Sequence, residues 1–349
     1  MRLYDTFHTR RAVEARTGSL EQVAGLRRLR LDEGQETGVA QVQVRTGGGL
    51  SYYVSPDRGL DIGLTEFCGV PLSWQAPNGD VHPAYYDARG LEWLRTAAGG
   101  LLMTCGFTYA GAPSLDGDQE LGLHGRAHHL PARQIATEGH WHGDEYLMRI
   151  AGTVEEAIIF GDKVRLTREI RSVLGENQIA ITDIYENPGF EPAPLMLLYH
   201  FNFGFPLLSE ATEMHFPSRQ VTPRDADTPL DDYDRWQAPE SPHAERVYLH
   251  RDLETDDAGW ATASVHNPAF PLAVGVPPTP LTVRLAWNTA TLPNLVQWRM
   301  AGSGEHVLGI EPTNCNVLGR AAARAAGDLE MLQPGEQRRI EITLNVTAG

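Results

Sequence analysis

Cysteine is scarce in this chain. Only Cys68, Cys105 and Cys315 occur in 349 residues, with no CxxC spacing. An odd count without that spacing points neither to a disulfide framework nor to a zinc ribbon, so a reducing cytoplasm is the expected compartment. No run of about 18 apolar residues is present to span a bilayer, and the opening MRLYDTFHTRRAVEAR is too polar for a secretory signal. Basic charge is also short: 29 Lys and Arg face 45 Asp and Glu, for a net charge of −16. Nucleic acid and anionic membrane both need concentrated positive charge, so neither is expected as a partner. Neither GxGxxG after a strand nor GxxxxGK[ST] occurs, which removes the usual marks of a nucleotide cofactor.

What is present leans towards β. Hydrophobic residues make up 42%, enough for a sizeable core, and 35 Gly with 23 Pro imply many turns and short elements. From Leu26 to Leu64 apolar and polar residues alternate, with Gly47 to Gly49 marking a hairpin. KVRLTREIRSV and QIAITDIYEN alternate in the same way, and the last segment, RRIEITLNV, does so strictly. Leu91 to Ala97 reads as a short helix and GRAAARAA (319 to 326) as another. Residues 217 to 259, rich in Pro and Asp, read as long loops along one edge. No repeat, linker or low-complexity boundary divides the chain, so one domain over 1–349 is expected.

Several positions carry candidate chemistry. The apolar run Val307, Leu308, Ile310 reads as a buried strand that ends in Glu311 before Pro312, a residue that cannot continue a ladder. A carboxylate there costs several kcal/mol, roughly, unless it is paired or has a task; a structural ion pair with an arginine is the plainer alternative. A second apolar strand runs from Pro194 into Tyr199-His200-Phe201-Asn202, where period 2 puts His200 and Asn202 on one face. They form either a site wall or a buried histidine bonded to backbone. His124 lies in Gly122-Leu-His-Gly-Arg126, where missing side chains would let a ligand approach. Asp57-Arg58-Gly59-Leu60-Asp61 is either a polar turn with a local Asp–Arg pair or a guanidinium aimed at a polyhydroxylated ligand. His128, His129, His140 and His142 suggest metal ligands only by number, and no metal is expected without acidic or Cys partners at ligand spacing.

Read together, these segments resemble the galactose mutarotase-like superfamily, the aldose 1-epimerases and their relatives. The resemblance rests on Arg95 ahead of Gly99 and Gly100, His124-Gly125-Arg126, His200-Phe201-Asn202 and Glu311-Pro312, in that order, with LPNLVQW (292 to 298) preceding the Glu strand. It implies an all-β fold, a large antiparallel β-sandwich with a few short helices, and a carbohydrate as ligand. It also implies a cofactor-free exchange of aldose anomers, with Glu311 as base, His200 as acid, and His124, Arg95, Arg126 and Arg58 orienting hydroxyls. An ionised Glu311 at pH 7 and an imidazolium favoured by that anion are the expected charge states. Asn202 would line the site. The family's hydroxyl-binding Asp has no secure counterpart, and Asp252 is the best candidate. Arginines at the cleft would suit a phosphate, sulfonate or carboxylate, while neutral hydroxyls serve equally. A non-catalytic sugar-binding protein, and an isomerase or lyase using the same base and acid, are the alternatives. A homodimer stays open, since an exposed sheet edge cannot be recognised from pattern.

Overall fold

The computed structural model describes residues 1–349. Two large antiparallel sheets dominate it. The eight-stranded sheet runs in the order Arg133–His142, Glu145–Ala157, Lys163–Val173, Gln178–Glu186, Gln337–Ala348, Thr279–Asn288, Trp260–Phe270 and Glu213–His215. The eleven-stranded sheet holds the Gly25–Arg30, Ala40–Arg45, Leu50–Ser55 and Asp61–Phe67 strands at one end. Next to them stand five strands that matter for function: β1 (Leu102–Phe107), β2 (Met196–Phe203), β3 (Arg246–Leu253), β4 (Asn294–Met300) and β5 (Val307–Thr313). Their spatial order is β3-β4-β5-β2-β1, and Ser218–Pro223 pairs outside β3. The all-β sandwich expected from the sequence is the fold observed.

Strand alternation explains why the central strands are apolar on both faces. Tyr199, Phe201, Leu308 and Ile310 point into the inter-sheet core, a cluster of 51 buried residues. Met196 and Leu198 on β2 and Val296 on β4 join a second cluster of 14 on the opposite face, roofed by segments that carry Trp93, Tyr109 and Val317. A sheet covered on both sides needs near-continuous hydrophobic strands, as parallel sheets do. That second face holds the candidate site.

An ionic bolt ties the sheets together. Arg168, fully buried on Lys163–Val173, donates to both oxygens of Asp183 (2.9 and 2.7 Å) and reaches across to Asp61 of the other sheet at 2.9 Å. Asp61 also accepts from the Thr104 amide (2.8 Å) and lies 2.7 Å from His128 Nδ1. Burial alone would push the Asp61 carboxyl up, but His128, Arg168 and Thr104 more than offset it and hold it below the ordinary range. Tyr199, the residue before His200, donates to Asp183 at 2.6 Å, so the bolt also fixes β2.

Three expectations change. Residues 217 to 259 are not only loops, because Ser218–Pro223 is the edge strand of the larger sheet and β3 is the strand next to it. SRQVTP hides its pattern since an edge strand keeps much of its surface in water. Pro312 does not end β5, which continues to Thr313 with Pro312 opposite Leu295. The Leu91–Ala97 helix is a single 3₁₀ turn, Glu92–Arg95, whereas Arg320–Ala326 is helical and stops at Gly327 in the left-handed region (φ 78°).

Candidate active site

A cavity of about 630 Å³ opens on the roofed face of the larger sheet. Its floor is made by β2 and β5. His200 and Glu311 are both nearly inaccessible, and His200 Nε2 lies 3.2 Å from Glu311 Oε1. Gly309 makes room for this pair. It stands two residues before Glu311 on the same face, opposite Trp298, and a Cβ there would meet Glu311 Oε1 at 2.6 Å and His200 Cε1 at 3.1 Å.

The protonation of the pair differs from the expected one. Burial raises the Glu311 carboxyl well above its usual range, and nearby Glu245 adds to the shift. Burial lowers His200 to about 3, helped by the neighbouring His124. No cation closer than Arg224 offsets these costs, so desolvation outweighs the attraction of the two groups for each other. Both shifts favour the uncharged forms, a neutral His200 and a protonated Glu311. The ionised Glu311 and charged His200 expected from the sequence are corrected accordingly.

His124 completes the floor. Its ring is 5.9 Å from that of His200 and 5.1 Å from Trp93, both edge to face. Its Nδ1 is buried without a partner, and burial lowers it to about 4. The flanking glycines serve the backbone rather than ligand access. His124 itself adopts φ 57°, and a Cβ on Gly125 would meet the Tyr109 carbonyl oxygen at 2.4 Å. The His124 amide donates to Gly111 O and its carbonyl accepts from Gly106, so this strained residue is clamped on both sides.

Three tryptophans, Trp74, Trp93 and Trp298, wall the cavity, and Trp298 lies 5.5 Å ring to ring from His200. At the rim Trp298 Nε1 donates to Glu245 Oε2 at 2.9 Å, while Arg224 donates to Glu245 Oε1 at 2.8 Å and to Asp225.

The structure brings Glu311, His200 and His124 together and places the other candidates elsewhere. Arg95 is largely exposed and pairs with Glu92 at 2.8 Å. Arg58 is 1% exposed and donates to the Thr96 carbonyl, with His128 Nε2 3.0 Å away; burial lowers it to about 10. Neither Asp–Arg turn nor ligand arm describes it, because the charged segment folds inward. Arg126 lies off the cavity in the field of Tyr109 and Glu156. Asn202 is fully buried and donates to the Gly100 and His200 carbonyls, which makes it a support behind His200 rather than a lining group. Asp252 is exposed near the far end of β3, and Glu245, just ahead of that strand, is the carboxylate from this part of the chain that lines the cavity. Glu245 and Arg224 escaped sequence reading because they flank strands taken for loops. Trp298 sat in the LPNLVQW segment and could have been found from its spacing, two residues beyond Val296 on one face.

Residues 36–346 match a family described as a domain of unknown function, DUF4432. The chain belongs to that family. No curated protein sequence matches the chain. Among solved structures, a proposed aldose 1-epimerase from Klebsiella pneumoniae superposes with a TM-score of 0.81 at 25% identity, over 92% of this chain and 83% of that one. A galactose mutarotase-like protein from Clostridium acetobutylicum gives 0.61 at 12% identity over 94% and 100% of the two chains. A galactose 1-epimerase from Lactobacillus acidophilus gives 0.59 at 12% over 93% and 99%. This DUF4432 chain thus has the galactose mutarotase-like fold, and its general relationship is to the aldose 1-epimerase group.

Proposed function

We propose that the chain is a cofactor-free aldose 1-epimerase in which Glu311 and His200 exchange protons with the hemiacetal of a free aldose. The observation that carries this reading is the buried His200–Glu311 pair at 3.2 Å on a cavity floor, with His124 beside it. Exchanging anomers requires a proton to leave the O1 hydroxyl and one to reach the ring oxygen, so the C1–O5 bond breaks and C1 becomes a carbonyl. Rotation about C1–C2 and the reverse steps close the other anomer. A pair that holds one proton is what this relay needs.

The bound sugar changes the charge balance. Hydroxyls that donate to Glu311 favour its carboxylate and move the proton to His200. Glu311 then takes the O1 proton while His200 protonates the ring oxygen. Neutral His124, with Nδ1 unpartnered, hydrogen-bonds an adjacent oxygen as charge develops there.

The reading is tested by saturation-transfer NMR of anomer exchange on a panel of neutral and phosphorylated aldoses. Accelerated exchange with no change of mass or connectivity supports it. Saturable binding without acceleration would indicate a sugar sensor, and a product of different connectivity an isomerase or lyase.

A further inference from the structure

On the other face of β3 and β4 lies a second cavity, of about 390 Å³, lined also by residues of the 229–237 segment. Strand alternation sets the two cavities back to back, with Trp298 lining the first and Arg299 the second. Arg246 and Arg299 are direct cross-strand partners, so both side chains rise from one face, and like charges so placed repel. Arg299 is 1% exposed. It donates to the Asp232 carbonyl at 2.7 Å and to Gln237 Oε1 at 2.8 Å, and its guanidinium carbon lies 5.4 Å from the centre of the Trp236 ring. Its Nε is buried without a partner, and no carboxylate pairs with it. Arg246, half-buried beside it, has no ion pair and no side-chain hydrogen bond. Burial lowers the Arg299 guanidinium below its ordinary range and Arg246 adds to the shift, so Asp232 and Glu240 offset only part of the cost. Two facing guanidiniums without a carboxylate stand out in a chain that has 45 acidic residues against 29 basic ones.

We propose that this second cavity binds a single phosphoryl group between Arg246 and Arg299. Its oxygens accept from Arg299 Nε and from the unused donors of Arg246, and the planar fork of a guanidinium suits that geometry. A phosphate carries about −1.5 to −2 at pH 7, which balances two guanidiniums where a carboxylate balances one. Arg235, whose one ion pair is with Glu213 at 3.6 Å, adds a third cation to the lining. Glu210, Asp231 and Asp232 line the cavity from its exposed side; they oppose a longer polyanion and accept hydrogen bonds from hydroxyls on a body that carries the phosphate. The ligand is therefore phosphate itself or the phosphate monoester of a small hydroxylated molecule. The site lies across the sheet from His200 and Glu311, so it stands apart from the reaction proposed for that pair.

Isothermal titration calorimetry at constant ionic strength tests it, with inorganic phosphate, glycerol 3-phosphate and acetate as probes. Wild type is expected to bind both phosphates at one site per chain and acetate much more weakly. A tighter ester identifies the acids as partners of the body, and equal affinity identifies the ion alone as the ligand; either supports the site. Arg246→Gln is expected to weaken phosphate binding by about tenfold or more, since charge-assisted hydrogen bonds are lost. Thermal melting supplies the control for folding. Without phosphate the variant should melt no lower than wild type, because one of two facing like charges is gone. Phosphate should then raise the melting temperature of wild type more than that of the variant. Four results would each overturn the proposal: no saturable phosphate binding by wild type, binding undiminished in Arg246→Gln, acetate as tight as phosphate, or a phosphate-free variant that melts several degrees lower and so marks Arg246 as a structural partner.

Discussion

Gly309 illustrates how tightly the central residues depend on one another. Its missing side chain is the space into which Glu311 and His200 close, and an added methyl would meet both of these buried groups and the Trp298 Cβ at 3.0 Å. Gly309→Ala is expected to displace the pair and lower kcat by on the order of 10²-fold while the protein stays folded, because misplacement by about 1 Å can cost that much. Steady-state kinetics alongside thermal melting checks this, and unchanged kcat would show that the pair's spacing is not critical. A second expectation concerns protons. The pair carries one proton between His200, lowered to about 3, and Glu311, raised well above the carboxylate range. Activity of the free enzyme should fall only below His200's lowered value on the acid side, and on the alkaline side as Glu311 loses its proton. A kcat/KM that falls as pH rises through about 6.5, with its acid limb at the ordinary carboxylate value of about 4.3, is what an unperturbed pair would give and contradicts it.

At the scale of elements, β2 and β5 hold the floor and the Arg168 bolt holds β2. Removing one partner of a buried ion pair leaves the other charges uncompensated, so Arg168→Ala should destabilise by about 3–5 kcal/mol. Urea unfolding measures this, and a loss below about 1 kcal/mol would show that Asp61 and Asp183 are satisfied without it. How much of this was readable depended on where the residues lie. His200 and Glu311 were legible because a polar residue inside an apolar strand stands out against its neighbours. Arg168 was not, since KVRLTREIRSV alternates and each charge in it reads as solvent-facing. Arg58 misled for the opposite reason: surrounded by acids in a turn it looked exposed, yet the turn packs beneath the roof of the cavity. Glu245 was hidden because β3 carries HRD at its outer end, and that polarity drew attention to Asp252 instead.

The whole molecule keeps several histidines neutral by burial. His124 and His250 are lowered to about 4 and His200 to about 3, while His128 and His129 are also lowered. Their folded values lie below the unfolded one near 6.5, so between these limits the unfolded chain binds more protons and stability is lost as pH falls. Each such group contributes up to about 1.4 kcal/mol per pH unit. The melting temperature should fall from pH 6.5 to 4.5, with a shallower slope in His250→Gln; a melting temperature that holds or rises across that range would contradict the buried neutral histidines. The catalytic reading is likewise a property of the assembled sandwich, for Glu311 and His200 lie 111 residues apart in the sequence (311 − 200) and meet only when β5 pairs with β2. It is tested most directly by saturation-transfer NMR of anomer exchange with wild type, Glu311→Gln and His200→Ala on a sugar shown to bind. The account predicts accelerated exchange by wild type and a loss of roughly 10²–10⁴-fold in each variant with binding retained. Exchange undiminished in Glu311→Gln, or absent in wild type, would contradict it.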